Sequence, residues 1–308
     1  MKRHIFQKTA VAVAIALTAT IGSAITVSAA TGTAPAAVSS TAQPKETVET
    51  TRKLIEERHQ KIEHEALIAI TGTQNALIAL HKNDAKQALV FLQEVSGKLD
   101  ILLAKHPGLN LIPASLEVNV YDFDNDAKQV EKIIDAADDL LEDHKVQDAR
   151  KILDQLVSEI RISTISIPLG TFPGTIKNAV NLIGQDKTNE AEEVLYNVLN
   201  TLVGTTEIMP LPVLRAETLL DKAMELEHKS DLTKEASRTE ILILTDAAKD
   251  KLKLAEILGY GGKDDYKQLY NAIDDIKDVI HTEKSAVAWD KIKASLAALK
   301  NKIIHPGK

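Results

Sequence analysis

Three stretches of the chain share one design. "LIALHKNDAKQALVFL" spans residues 77–92, "LLEDHKVQDARKILDQL" spans 140–156 and "LIGQDKTNEAEEVLYNVL" spans 182–199. Each finishes one apolar run at helical spacing, crosses a short polar turn carrying Lys and an acid or amide, and begins a second run. Ala85, Ala149 and Ala191 take the matching place. A small residue there lets two antiparallel helices approach beside their turn, so the pattern predicts αα-hairpins. A looser fourth copy, "LGYGGKDDYKQLYNAI", has Tyr266 in the Ala position. From Ala85 to Ala149 is 64 residues and from Ala149 to Ala191 is 42, so the array is irregular and not a solenoid.

Between the hairpins lie three segments of another character: "HPGLNLIPASLEVNVYDF" (106–123), "STISIPLGTFPGTI" (163–176) and "GTTEIMPLPVL" (204–214). All contain proline and β-branched residues, which stop helices and bias the preceding residue to extended backbone. Two arrangements are open. The segments dock as extended loops, apolar side down, or they pair as short strands; "LEVNVYDF" alternates best. The predicted class is therefore all-α, mainly helical: an irregular array of αα-hairpins with short extended or β connectors. A first helix is expected from Glu46 toward Leu80, with Gly72 bending or dividing it. Further helices are expected from Pro212 to Lys229, through "TKEASRTEILILTDAAKDKLKLAEIL" with a capping box at Ser237–Glu240 if the helix restarts there, from Asp264 to Glu283 and from Ala286 to Ile304.

Aromatic residues make up 3% of the chain, so its core must be aliphatic, with Trp289, the single tryptophan, packed inside. The N-terminus reads as an export signal. Lys2, Arg3 and Lys8 precede an apolar run from Ala10 to Ile21, then small residues with a cut after Ala29 or Ala30. The competing reading is a membrane anchor, but the run is shorter than the roughly 20 residues a spanning helix needs. The expected organisation is a signal peptide over 1–29, a flexible linker over 30–45 and a helical domain over 46–308, with a periplasmic location. Residues 1–29 hold three basic and no acidic residues, which leaves 34 Lys and Arg against 44 Asp and Glu, a net charge of −10. No basic cluster marks a nucleic-acid surface, and after cleavage no stable membrane insertion is expected. The absence of cysteine suits an oxidising compartment.

Chemistry-bearing patterns are sparse. No HExxH and no i,i+4 histidine pair occurs, so no metal site is expected. His59 with Glu63, His64 with Glu65 and His144 with Asp143 are candidate pH-responsive groups, because histidine titrates near pH 6.5; the plain alternative is solvated surface. Asp122, Asp124 and Asp126 alternate like the start of a Ca²⁺ loop. Ile133 stands where that loop needs its closing Glu, so a helix cap is the better account. No nucleophile elbow or phosphate loop is present; no enzyme activity and no cofactor are expected.

The block "IPLGTFPGTIKNAVNLIGQDKTNEAEEVLYNVLNTLVGTTEIMPLPVLRAETLLDKA" (167–223), with "VYDFDNDA" before it, resembles the YfdX family of bacterial secreted or periplasmic proteins. The resemblance runs from about residue 45 to the C-terminus and implies a mainly helical, stress-linked protein associated with heat and acid tolerance. It also implies chaperone-like holding or small-molecule binding, and the long termini suggest the larger, heat-resistance-island type of member. No catalytic residue carries over. The functional expectation is a non-enzymatic holding factor for unfolded or stressed proteins, itself a homo-oligomer. Its candidate client surface is Ile165, Ile167, Leu169 and Phe172 of one connector with Ile208, Met209 and Leu211 of the next, offered if heat or acid opens them. The alternative is a periplasmic small-molecule-binding module walled by the same connectors.

Overall fold

The computed structural model describes residues 52–304 apart from Leu54, Asp124, His281 and Glu283. The proposed signal peptide and linker lie outside the described residues.

Each of the first three hairpins is followed by a strand. Helices α1 (His64–His81) and α2 (Ala85–Lys105) lead into β1 (Leu111–Tyr121). Helices α3 (Ala127–Glu142) and α4 (Val146–Leu153) lead into β2 (Glu159–Pro168). Helices α5 (Phe172–Gly184) and α6 (Thr188–Leu199) lead into β3 (Val203–Pro210). The proline-bearing connectors thus form a three-stranded antiparallel sheet in the order β1-β2-β3, which decides between the two arrangements open above. The chain ends in α7 (Leu211–Lys229), α8 (Glu235–Ile257), α9 (Lys263–Val279) and α10 (Ser285–Ile304).

The hairpin turns share a backbone device. Asn83, His144 and Asp186 all adopt positive φ, near 60°. At each, the next residue's N–H reaches back five residues: Asp84 to Ala79 O, Lys145 to Leu140 O and Lys187 to Leu182 O, at 2.8–3.0 Å. This is the Schellman ending, which satisfies carbonyls the helix leaves orphaned. Gly259, with φ +83, ends α8 in the same way. These turns shift the first copy of the repeat by three residues. Counted from the start of the second helix, Ala149, Ala191 and Tyr266 are equivalent to Ala88, not Ala85. Ala88 is fully buried, as are Ala149, Ala191 and Tyr266 within 1%, whereas Ala85 is only partly so.

Three other expectations need correcting. The first helix is interrupted at 60–63, not at Gly72, because Glu63 N–H bonds to Pro113 O at 2.9 Å instead of continuing the helical ladder. Gly72 lies buried within α1, where a Cβ would stand 2.5 Å from Val95 Cγ2; α2 crosses too close for a side chain. Helix α8 starts at Glu235, so Ser237–Glu240 lie inside it and form no capping box. Helix α9 stops at Val279, short of Glu283. Asp126 does cap α3, accepting from Gln129 N–H at 2.9 Å.

Two main cores result. One joins α1, α2, α5 and α6 with Ile112 and Ala114 of β1 and Ile167 and Leu169 at the end of β2. The other is built by α7–α10 and includes Trp289. Between them, Ile160 and Ile162 of β2 pack with Met209, Leu211 and Leu214, flanked by Leu116, Val118 and Val120.

Candidate functional site

The seven connector residues proposed as a client surface are brought to the sheet but not to its outside. Strand β2 alternates, and its two faces serve different cores. Ile165 and Ile167, with Leu169 and Phe172 following, pack into the first helical core; Ile167 and Phe172 are fully buried. Met209 and Leu211 are buried on the other face, and Ile208 is half-buried beside Arg161. In the folded protein all of these residues except Ile208 are core, because β-branched side chains on a paired strand fill the space between layers. They can be a surface only if the sheet opens.

Polar groups fasten the sheet to the C-terminal helices. Glu159, buried at the start of β2, accepts from Tyr260 Oη at 2.7 Å and from Arg161 Nε. Ser158 N–H donates to the same Tyr260 oxygen at 3.1 Å. Burial first, then the bond to Glu159, pushes the Tyr260 hydroxyl well above the ordinary tyrosine range. Arg161 lies over the Tyr121 ring at 4.8 Å from its centroid, and Arg215, at the start of α7, reaches Asp122 at 2.8 Å. These contacts are joints between elements.

The three histidine–acid pairs read from the sequence do not form, because each acid turns to another partner. Glu63 meets His106 Nε2 at 2.9 Å and Lys105 at 3.3 Å. Glu65 meets Lys105 at 3.2 Å; bonding to its own backbone, then to Lys105, holds its carboxyl below the usual value. Asp143 meets Lys145 at 2.8 Å. His59, His64 and His144 are exposed. The contacts that do form, His106–Glu63 and His81–Glu192 at 3.0 Å, join residues far apart in sequence, and no local pattern signals them.

Open concave space lies on the helices. Between α1 and α6 a groove of about 420 Å³ has Leu77 and Tyr196 on its apolar side and His81, Asn189, Glu192 and Glu193 on its polar side. Tyr196 is 58% exposed, and Ile78, next to Leu77, is 50% exposed. Between α7 and α10 a second groove of about 390 Å³ runs over Leu220, Met224, Trp289 and Ile292, with Asp221 and Lys293 at its rim. Desolvation there, then the nearby Glu217 carboxylate, pushes the Asp221 carboxyl up. At the sheet, the depression beside Met209 and Pro210 is only about 10 Å³. The two roomier grooves thus lie between helices, and the depression at the connectors is the smallest of the three. No described helix is long and apolar enough to cross a membrane.

This architecture defines a mainly helical protein whose αα-hairpins alternate with the strands of a small antiparallel sheet. Residues 69–208, just under half of the chain, match the model of the YfdX protein family, and that segment is of the YfdX family. The match takes in the first three hairpins and nearly all of the sheet; α7–α10 lie beyond it. A solved structure of Salmonella Typhi YfdX aligns at 15% identity and a TM-score of 0.35, over 49% of this chain and 93% of that one. No curated protein matches the chain.

Proposed function

We propose that the protein is a non-enzymatic, exported stress factor that holds unfolding proteins in the bacterial envelope. The observation that carries this reading is the α1/α6 groove. Its apolar side, Leu77 with the exposed Tyr196, sits against the acidic Glu192 and Glu193, inside the segment matched to the family. A holding site needs apolar surface that nearby charge keeps soluble. The export signal and the excess of acidic residues fit the same role. The buried connectors contribute client surface only on opening, so the folded-state surface is placed on the helices.

The test is a light-scattering assay of a heat-denatured client at equimolar protein. The unmodified chain suppresses aggregation, and Tyr196→Ser weakens the suppression while helical circular dichroism stays unchanged. A chain that suppresses nothing at any ratio refutes the reading. Fractionation of expressing cells tests the location separately.

The α7/α10 groove supports a second reading, small-molecule binding. Trp289 at its floor provides the probe: a ligand there changes tryptophan emission and raises the melting temperature with concentration.

A further inference from the structure

The helical hairpins are not equally covered. Hairpins α1/α2 and α5/α6 pack on each other, α1 on α6 and α2 on α5, and α7–α10 share the second main core. Hairpin α3/α4 stands apart. Its inner end is held by α8, through Val130, Ile133 and Ile134 beside Leu254 and Ile257. Among the described residues α4 packs substantially on α3 alone. Ala137 and Ala149, each 1% exposed, mark the seam between the two helices. At 3.6 residues per turn, Ile134 and Leu141 flank Ala137 on one side, and Val146 and Leu153 flank Ala149 on the matching side of the antiparallel partner. All four therefore edge one face of the hairpin. On it Leu141, Val146 and Leu153 are 42%, 55% and 38% exposed. Such a stripe is normally buried against a neighbouring element, and no helix of the described chain lies on this one.

Along α3 the strip has an acidic border. Glu131, Asp135, Asp138 and Glu142 recur at helical spacing on the outer side of Ile134 and Leu141. All four are exposed, and none makes an ion pair among the described residues. Glu131 with Asp135, and Asp138 with Glu142, are like charges four apart, which repel across one turn. On the α4 side the charges balance, with Arg150 and Asp154 paired at 3.7 Å. We infer that this face docks a basic amphipathic α-helix of another protein. Its apolar stripe lies on Leu141, Val146 and Leu153, and its Lys or Arg side chains run along the acidic row. An amphipathic helix laid on an apolar face is an established mode of recognition, and here it supplies the cover that the other hairpins find within the chain. Helix α3 has 16 residues and is about 24 Å long, room for a partner helix of about four turns. Charge selects against other occupants. A second copy of this face would bring the same carboxylates together, and an anionic membrane surface would be repelled by them. A basic row removes the repulsion within α3 and steers the encounter. The inference does not rest on the holding role, which is placed on the α1/α6 groove.

The probe is a fluorescein-labelled Leu/Lys peptide of about 18 residues with its leucines at helical spacing, titrated with the purified protein and read by anisotropy. The controls are a scramble of equal charge without an apolar face and a Leu/Glu peptide of the same pattern. The Leu/Lys peptide is expected to bind at least about tenfold tighter than either control. Leu141→Ser with Val146→Ser is expected to weaken that binding several-fold at unchanged helical circular dichroism. Asp138→Lys with Glu142→Lys is expected to transfer the preference from the Leu/Lys to the Leu/Glu peptide. Tyr196→Ser, in the α1/α6 groove, is expected to leave binding as it was. A Leu/Lys peptide that does not bind overturns the proposal. So does a scramble that binds equally well, or binding indifferent to the hairpin substitutions. If Leu141→Ser with Val146→Ser changes the sedimentation mass of the free chain, the face belongs to a second copy and the proposal falls.

Discussion

Tyr260 Oη lies 2.7 Å from Glu159 Oε2, and this contact ties the turn between α8 and α9 to the start of β2 across 101 residues of sequence. The acceptor is buried, so losing its donor leaves a carboxylate oxygen facing protein without a proton to accept. Tyr260→Phe is expected to lower stability by about 1–3 kcal/mol, read as a fall in the urea midpoint with unchanged slope.

The same region predicts an alkaline limit. Burial is the leading cause that raises the Tyr260, Tyr266 and Tyr270 hydroxyls above their ordinary value of 10.0. The unfolded chain therefore releases these protons first. The native state binds more protons above pH 10, so stability falls as pH rises. Below pH 10 the contribution is fully present. Urea midpoints at pH 8, 10 and 11 are expected to be level and then to drop, and Tyr266→Phe to make the drop shallower.

Asp221 works with the opposite sign to a salt-bridged carboxylate. Its folded pKa is raised from 3.8, chiefly by desolvation, so its contribution favours the native state below about pH 3.8 and turns unfavourable as pH rises. Asp221→Asn is expected to raise the melting temperature at pH 7 by an amount equivalent to less than about 1 kcal/mol, since the side chain reaches solvent. At pH 3 the gain should vanish.

Gly72 and Val95 test the crossing of α1 and α2. Ala is a better helix former than Gly by about 1 kcal/mol, yet its Cβ would stand 2.5 Å from Val95 Cγ2. Gly72→Ala is expected to destabilise by about 1–3 kcal/mol through overpacking. In a double-mutant cycle with Val95→Ala, which removes the clash, the combined cost should be smaller than the sum of the single costs.

His144 holds a left-handed turn that costs an L-residue roughly 1–2 kcal/mol. His144→Gly is expected to stabilise the chain by about 0.5–1 kcal/mol, since part of the gain is lost to the flexibility of glycine in the unfolded state. His144→Val should destabilise. Thermal melts of the three proteins rank them.

Hairpins, the aliphatic core, the strand character of 111–121 and the cap at Asp126 were legible because each rests on local periodicity or on a side chain bonding a backbone three residues away. The slip from Ala88 to Ala85 shows where such reading fails. Both positions carry alanine, and only the Schellman turn at Asn83 says which begins the contact. The candidate site was less legible. The connectors were visible as apolar, but whether an apolar segment is surface or core depends on what lies above it. Ile167 and Phe172 are covered by helices from both ends of the matched segment. The acids beside His59, His64 and His144 took other partners, two of them residues some forty positions away.

The sequence by itself determined which segments are helix, which are turn and which are extended, since those follow from side-chain period, proline and glycine within a few residues. Tertiary structure alone decided that three connectors become one sheet, that its inner faces are buried, and that the open apolar space lies between α1 and α6. These outcomes depend on which distant surfaces exclude water together, and no local window of residues contains that information.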